Sequence, residues 1–311
     1  ERERDAFHGA ELYVVTCGGV RGSGTSRQAE RVDGRPQLVT AGEAFEDLIF
    51  YDLPRLPRAG EELKTSHFSR APGGGVIITA VTAARLGIRT TVISAVGDLA
   101  RARLRDEGVT LRDLRRAGEA PAITVAISTK GDRSFVTYNG VNDRLEARLL
   151  EELPRVRGAH VHCAFFPSRC SRWVRVTRDL QRSGRTVSWD FGWNPPLVDD
   201  PGFDVLLRGL DVVFVNEAEA RLYARKRSLP AALAWWKDTA RATVVKLGRR
   251  GATYLSRQAI LRAPAPKVTV VDTTGAGDAF NGGYLSPLLR GGEPARCPRR
   301  RHDRGARSTP R

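Results

Sequence analysis

The residues best suited to chemistry lie in one stretch, VTVVDTTGAGDAFNGGYL, from Val268 to Leu285. A β-branched run ends in a Thr/Gly turn and passes directly into a helix-like segment, so the order is strand, turn, helix start. Gly275, Ala276 and Gly277 carry no bulky side chains, so consecutive backbone N–H groups can face a ligand. The positive end of the following helix adds to them, and the result is an anion hole. Asp278 falls in the first helical turn beside that hole, where a carboxylate can cap the helix or take a proton from a substrate hydroxyl. A carboxylate base next to an anion hole is what hydroxyl phosphorylation needs, because phosphoryl transfer is mostly positioning and charge stabilisation. A plain N-cap and a tight turn would explain each residue singly; the whole string favours chemistry.

Other residues are candidates of lower specificity. Asp47, at a strand end, can accept two hydroxyl hydrogen bonds in a polyol pocket, or be a capping or turn aspartate. Gly73 to Gly75 precede a helical run and are either a substrate-approaching loop or an ordinary one. Asn216 and Glu219 stand at a helix start, as ligand-organising or solvated residues. His160 and His162 alternate on an apolar strand and read as core-edge residues. Trp235 and Trp236, in a helical run, read as packing. The segment Gly19 to Ser26, GVRGSGTS, misses the phosphate-loop pattern because Thr25 stands where a lysine must reach the phosphates.

Positioning these residues requires a scaffold, and the chain supplies a regular one from about residue 38 to 289. LVTAGEAF and DLIFYDL read as strands, Val76 to Leu86 as a helix stopped by Gly87, and TTVISAVG as a strand. ITVAISTKGDRSFVTYNG reads as a hairpin turning at Lys130-Gly131-Asp132. AHVHCAFF, RTVSWDF, DVVFVN, ATVVKLG and KVTVVD are apolar strands separated by helical segments such as SRWVRVTRDLQRSG and SLPAALAWWKDTAR. Strands apolar on both faces and separated by helices predict a parallel sheet between helix layers, with ligands outside the carboxyl ends of the strands. Residues 1–37 and 290–311 lack this periodicity and read as a poorly structured tail and an Arg-rich disordered tail.

Composition narrows the function classes. With 311 residues and 41% hydrophobic content the chain can build a real core. No apolar run approaches the roughly 18 residues of a membrane span, and the N-terminus has no signal-like stretch. Four scattered cysteines encode neither a disulfide framework nor a zinc site, so a cytoplasmic protein with reduced thiols is expected, with no membrane partner. The net charge of +16 could suggest a polyanion partner. It argues little for nucleic acid, because lysine contributes only six of the 51 basic residues and eight of the arginines crowd into residues 290–311.

The DTTGAGDAF string resembles the C-terminal DTxGAGD motif of PfkB carbohydrate kinases, the ribokinase-like family, and other stretches follow in that family's order over about residues 38 to 289. GEAFEDLIF resembles its first strand, and Gly73 to Gly87 its glycine pair and substrate-closing helix. AVGDLARARLRDEGV resembles its VGxD segment, VNEAEA its NxxE motif, and VVKLGRRGA its nucleotide-binding loop. The resemblance implies a three-layer α/β/α sandwich with a mostly parallel central sheet and a small β lid, its strands within about 48–70 and 121–140. It implies ATP-dependent phosphorylation of a sugar or related hydroxyl compound, with Asp278 as base and Gly275, Ala276 and Gly277 as the anion hole. Asp47, Gly74 and Gly75 would hold the substrate together with Asp278; Asn216, Lys246, Gly248, Gly251 and Gly277 would meet ATP. Asn216 and Glu219 would organise Mg²⁺ indirectly, and Asp272 and Thr274 match positions tied to a monovalent cation, potassium, in parts of the family. A homodimer through the lid strands is also implied.

Three departures bear on these expectations. Ile77 and Ile78 stand where the glycine-pair motif commonly continues to a sugar-contacting Asn, which keeps a nucleoside kinase as the alternative, since apolar side chains can face a base. Phe166-Pro167-Ser168, after Phe165, occupies the place of an acidic sugar ligand found in some relatives. The family's C-terminal helices are missing after Arg290, and the chain contains no methionine, initiator included. This predicts a truncation or frame shift near Arg290, with a catalytically inactive ligand-binding remnant as the second alternative.

Overall fold

Alternation along the strands sorts apolar side chains onto two faces, and this sets the layering. The computed structural model describes residues 37–129, 133–266 and 275–291. Its larger sheet contains β1 (Leu38–Gly42), β4 (Thr90–Ser94), β5 (Thr110–Asp113), β8 (His160–Ala164), β9 (Thr186–Asp190), β10 (Val212–Asn216), β11 (Thr243–Lys246), β12 (Ala252–Leu255) and β13 (Ile260–Ala263). Their order is β13-β12-β11-β10-β9-β8-β1-β4-β5. Pairing is parallel from β11 to β5 and antiparallel only at the β11–β12–β13 end.

Val39, Val161, Val187, Val213 and Val245 face one cluster, completed by Trp173 of α4 (Cys170–Arg182), Leu206 of α5 (Phe203–Gly209), Tyr223 of α6 (Glu217–Tyr223) and Trp236 of α7 (Leu229–Thr239). Leu149 of α3 (Leu145–Glu152) joins them. The neighbouring residues Leu38, Val212, Phe214 and Val244 face the other way, onto Ala83 of α1 (Gly75–Arg85) and Leu285 of α8 (Ala276–Leu289). Beside that second layer, α2 (Asp98–Asp106) packs Ala100 and Leu104 against α1 and β4. The fold is therefore the three-layer α/β/α sandwich expected, with eight α-helices among the described residues.

A second sheet of four strands forms the lid, in the order β3-β2-β6-β7. It comprises β2 (Phe45–Leu53), β3 (Phe68–Gly73), β6 (Ile123–Thr129) and β7 (Arg133–Tyr138). The hairpin read around Lys130 pairs as β6 and β7 in antiparallel register; the turn itself lies outside the described residues.

Two elements differ from the sequence reading. The break between the first two strands falls earlier than between LVTAGEAF and DLIFYDL: β1 ends at Gly42, two residues intervene, and the lid strand β2 begins at Phe45, so GEAFEDLIF spans both and Asp47 lies inside β2, opposite Ala71 and Thr124. The hairpin β12–β13 was not anticipated, because four-residue strands are too short for periodicity to show and β13 is half exposed at the sheet edge. The KVTVVD strand, residues 1–36 with the phosphate-loop near miss, and residues 292–311 lie outside the described residues. Arg290 and Gly291 are described: Arg290 is the C-cap of α8 and its guanidinium donates to the Leu86 carbonyl.

Candidate active site

Helix α8 starts at the N-cap Gly275, held in the left-handed region at φ 70°, which glycine adopts without strain. Asp278 is therefore not the cap but the third residue of the first turn. Close helix packing fixes where it points. At Gly282, one turn on, a Cβ would lie 2.6 Å from the Thr79 carbonyl of α1, so only glycine allows α8 to approach this closely. Thr79 Oγ1 in turn donates to the Asp278 carbonyl at 3.0 Å. The Asp278 carboxylate then rests against the loop before α1, where a Cβ on Gly75 would lie 2.9 Å from its Oδ1. The glycines of both motifs are thus the space into which Asp278 fits.

Three adjacent parallel strands end at the same edge, and their final residues complete the charge cluster. They are Asp190 of β9, Asn216 of β10 and Lys246 of β11. Lys246 Nζ donates to Asp190 Oδ2 at 2.6 Å and to Asn281 Oδ1 at 3.4 Å, and Asn281 Nδ2 donates to the same Asp190 oxygen at 2.8 Å. Asn216 and Glu219 form a reciprocal capping box on α6: Glu219 N donates to Asn216 Oδ1 at 2.9 Å, while Asn216 N and Nδ2 donate to the Glu219 carboxylate at 2.8 and 2.6 Å.

The electrostatics are conflicted. Burial, then the nearby Asp190 charge, pushes the Asp278 carboxyl up to about 7 against the pull of Lys246. Burial and Asp190 likewise push Glu219 up to about 7. Burial also disfavours charge on Asp190 itself, but the Lys246 ammonium overcomes this and holds its carboxyl below the usual range. Lys246 is correspondingly held above its ordinary value, by Asp190 and then Asp278, despite burial. One cation is shared among three buried carboxyl groups.

Across the cleft, Asp47 projects from β2 onto the glycine loop: a Cβ on Gly73 would collide with its carboxylate. Burial pushes Asp47 up to about 6. Gly74 takes φ 98°, a value that lets the loop turn between Asp47 and Asp278. Gly248 and Gly251 belong to the β11–β12 turn, and Gly251 packs directly on the Ala263 carbonyl. Gly277 lies against Lys246, a Cβ there falling 3.2 Å from Nζ. Asp272 and Thr274 lie outside the described residues.

Ile77 is fully buried in the core and cannot touch a ligand; Ile78 is half-buried and packs on Gly275. That corrects the pairing of Ile77 with Ile78 as a base-contacting surface. Phe165 is buried among Trp173 and Trp189, whose Nε1 donates to its carbonyl at 2.7 Å, so it is packing. His160 and His162 are buried and share Ser188. Sequence reasoning missed Asp190 and Asn281. Both carried a signal: Asp190 ends a strand at the ligand-binding edge, and Asn281 follows Asp278 by three residues on one helix face.

Residues 35–304 match the pfkB family carbohydrate kinase. The chain belongs to this family. It is 28% identical over 277 residues to an uncharacterized sugar kinase of Escherichia coli, YegV, covering 83% of each chain. It is also 28% identical to an ATP-dependent ribose-1-phosphate kinase of Halopiger xanaduensis, over 84% of this chain and 88% of that one. Among solved structures, the Arabidopsis thaliana ribokinase complexed with ribose and ATP superimposes with a TM-score of 0.70 at 23% identity, covering 85% and 89%. Membership makes the chain a carbohydrate kinase by family, and the glycine loop before α1 and the start of α8 meet around Asp278. No helix among the described residues is long and apolar enough to cross a membrane.

Proposed function

We propose that the protein transfers the γ-phosphoryl group of ATP to a hydroxyl of a sugar, with Asp278 as the base. The observation that carries this is the convergence of Asp278, Lys246 and the glycine loop on one buried spot at the strand ends. In the step, the Asp278 carboxylate takes the hydroxyl proton as that oxygen bonds to the γ-phosphorus, and the bond from phosphorus to the ADP oxygen breaks. The backbone N–H groups of Gly275, Ala276 and Gly277 face the transferring oxygens from the start of α8. Asp47, Gly74 and Gly75 hold the sugar from the lid side.

Lys246 keeps Asp190 charged and limits the charge repulsion felt by Asp278, besides facing the nucleotide phosphates alongside Asn216, Gly248 and Gly251. Among the described residues no group of three His, Cys, Asp or Glu side chains can grip a metal directly. Glu219 and Asn216 fit Mg²⁺ held through water and phosphate oxygens, since the buried Glu219 carboxyl, repelled by Asp190, gains from a further cation. Mg²⁺ when bound supplies charge neutralisation on the phosphates. A potassium ion near Asp272 and Thr274 belongs to the same reading.

The reading carries a cytoplasmic location with it, the compartment of ATP and of reduced thiols such as the buried Cys163 and Cys170. It extends to a kinase domain over residues 38–289 and a homodimer through the lid. Supporting the dimer, the edge strands β3 and β7 expose Phe68, Phe135, Val136 and Tyr138. The test is ATP consumption with Mg²⁺ and K⁺ across sugars and nucleosides. Turnover with a sugar that disappears in Asp278→Ala, with the fold intact, supports the reading. Turnover retained in that variant rejects the base.

A further inference from the structure

Three carboxylates attract the Lys246 ammonium, Asp190 first and then Asp278 and Glu219, yet its hydrogen bonds go to Asp190 and Asn281. The packing of α8 selects these partners. Gly277 and Asn281 are one helical turn apart and share a face. The lysine side chain lies along that face: a Cβ on Gly277 would fall 3.2 Å from Nζ and 3.7 Å from Cε. The ammonium is thereby lodged beside the last residue of the anion hole.

The grip on it is built from two sides. Asn281 is fully buried and bridges the ion pair with the opposite ends of one amide: Oδ1 accepts from Lys246 Nζ at 3.4 Å, and Nδ2 donates to Asp190 Oδ2 at 2.8 Å. The reversed amide would set its NH₂ against an ammonium and its oxygen against a carboxylate, so the two charges fix its orientation. Asp190 is held in turn, because Oδ2 takes Lys246 at 2.6 Å while Oδ1 accepts from the Gly192 N–H at 3.2 Å. Charge-assisted bonds of this kind are the strong ones. Among the described residues, Asp190 and Asn281 use two of the three Lys246 N–H donors, which leaves one for a ligand.

A lysine held in this way differs from one that swings. Turned toward Asp278, the ammonium would pair with the carboxylate that must take the hydroxyl proton. Gripped by Asp190 and Asn281 it stays beside Gly277, the residue immediately before Asp278. The phosphoryl group nearest that point is the one being transferred, since it must bond to the oxygen that Asp278 deprotonates. We infer, on the phosphoryl-transfer reading above, that Asp190 and Asn281 are positioning residues that hold the Lys246 ammonium on the γ-phosphoryl group of ATP and off the Asp278 base.

The experiment measures by calorimetry how the whole chain binds the Mg²⁺ complexes of ADP and of the non-hydrolysable ATP analogue adenylyl imidodiphosphate, which differ chiefly in the γ-phosphoryl group. The ratio of the two affinities, analogue over ADP, should fall about tenfold in Lys246→Met and in Asp190→Asn and about threefold in Asn281→Leu, while ADP affinity stays within about twofold of the parent. Asn281→Leu serves where Asp190→Asn does not fold. A residue that acts through Lys246 has no effect once Lys246 is gone, so adding Asp190→Asn to Lys246→Met should leave the ratio where Lys246→Met alone puts it. A ratio unchanged in Asp190→Asn and Asn281→Leu, equal losses for ADP and the analogue, or losses that multiply in the double variant would overturn the inference. The two readings fail separately. Turnover that survives Asp278→Ala rejects the base, while the affinity ratio still reports on Lys246. Turnover lost in Asp278→Ala, with a ratio indifferent to Asp190, Asn281 and Lys246, rejects the positioning alone. A parent that binds neither nucleotide overturns both.

Discussion

Strands β8 and β9 bury polar side chains at both ends, and the two ends differ in kind. At the amino end, His160 Nδ1 meets Thr186 Oγ1 at 2.7 Å, His160 Nε2 meets Ser188 Oγ at 2.7 Å, and His162 Nδ1 meets the same Ser188 oxygen at 2.8 Å. This strip is neutral: burial pushes His160 down to about 4 and His162 to about 3. At the carboxyl end, Asp190 of β9 faces a cluster in which Lys246 must serve Asp190, Glu219 and Asp278 together. Burial alone does not mark a functional site. Charge held in conflict by burial does, because a structure would discard that conflict unless a ligand resolved it.

Asp278→Asn breaks the comparison most sharply, since it should hurt activity and help folding. Losing the base should lower kcat by about 10²- to 10⁴-fold. The stability sign follows from the raised carboxyl: the folded state holds the proton up to about 7, the unfolded chain only to 3.8. That contribution is full below 3.8 and lost as pH rises through 7, so at pH 8 the buried carboxylate weakens the fold. Asn never ionises, and the variant should be more stable at pH 8 by roughly 2–4 kcal/mol, the gap closing as pH falls toward 4. Thermal melts at the two pH values check this, and a variant less stable than the parent at pH 8 would contradict it. In the parent, kcat/KM should rise through pH 7 and level off above 8.

Lys246→Met tests the other side of the same balance. Among the described residues, removing the cation leaves Asp190 with Asn281 and Gly192 as its donors. A loss of about 3–5 kcal/mol is expected. Denaturant titration measures it; Lys246→Met with Asp190→Asn should recover most of the loss, because the uncompensated charge goes with its partner.

Gly75→Ala probes position rather than charge. The added Cβ would lie 2.9 Å from Asp278 Oδ1 and 3.1 Å from Ala164 Cβ, so the carboxylate must give way. A displacement well under 1 Å should lower kcat/KM about tenfold, with little change in melting temperature. Equal activity would mean that the glycine serves only the loop.

Much of this was legible in the residues. The alternation of strands and helices and the hairpin around Lys130 followed from periodicity, while the approach of the glycine loop to Asp278 was implied only by the family resemblance. The place of the split between β1 and β2 was not legible, because Glu43 and Ala44 are no weaker strand formers than Glu46 and Asp47 and the lid's own pairing sets where β2 begins. Asp190 was hidden for a related reason. A single aspartate ending an apolar strand looks like a turn residue until Lys246, 56 positions away, is brought to 2.6 Å. The capping box at Asn216 and Glu219 was readable as a helix start, but the conflict that raises Glu219 arises only from tertiary approach.

Ser188→Ala should be the smallest perturbation, and it sharpens the comparison from the quiet end. Ser188 is the one hydroxyl shared by His160 and His162, and its loss leaves a nitrogen of each buried ring without that partner. Unmade bonds at buried groups cost about 1–3 kcal/mol, with kcat within twofold of the parent because the strip does not touch the reacting atoms. The pH dependence should oppose that of the carboxyl cluster. Both histidines stay neutral when folded but accept protons at 6.5 when unfolded, so their contribution is full above 6.5 and drains away as pH falls toward 4. From 6.5 to 4 the histidines' loss therefore runs against the gain from Asp278, Glu219 and Asp47 in parent and Ser188→Ala alike, while Asp278→Asn, having lost one of the groups that gain there, should show a less favourable change in melting temperature than either. Parallel curves for all three proteins would mean that the two ends of β8 and β9 do not differ in the way argued.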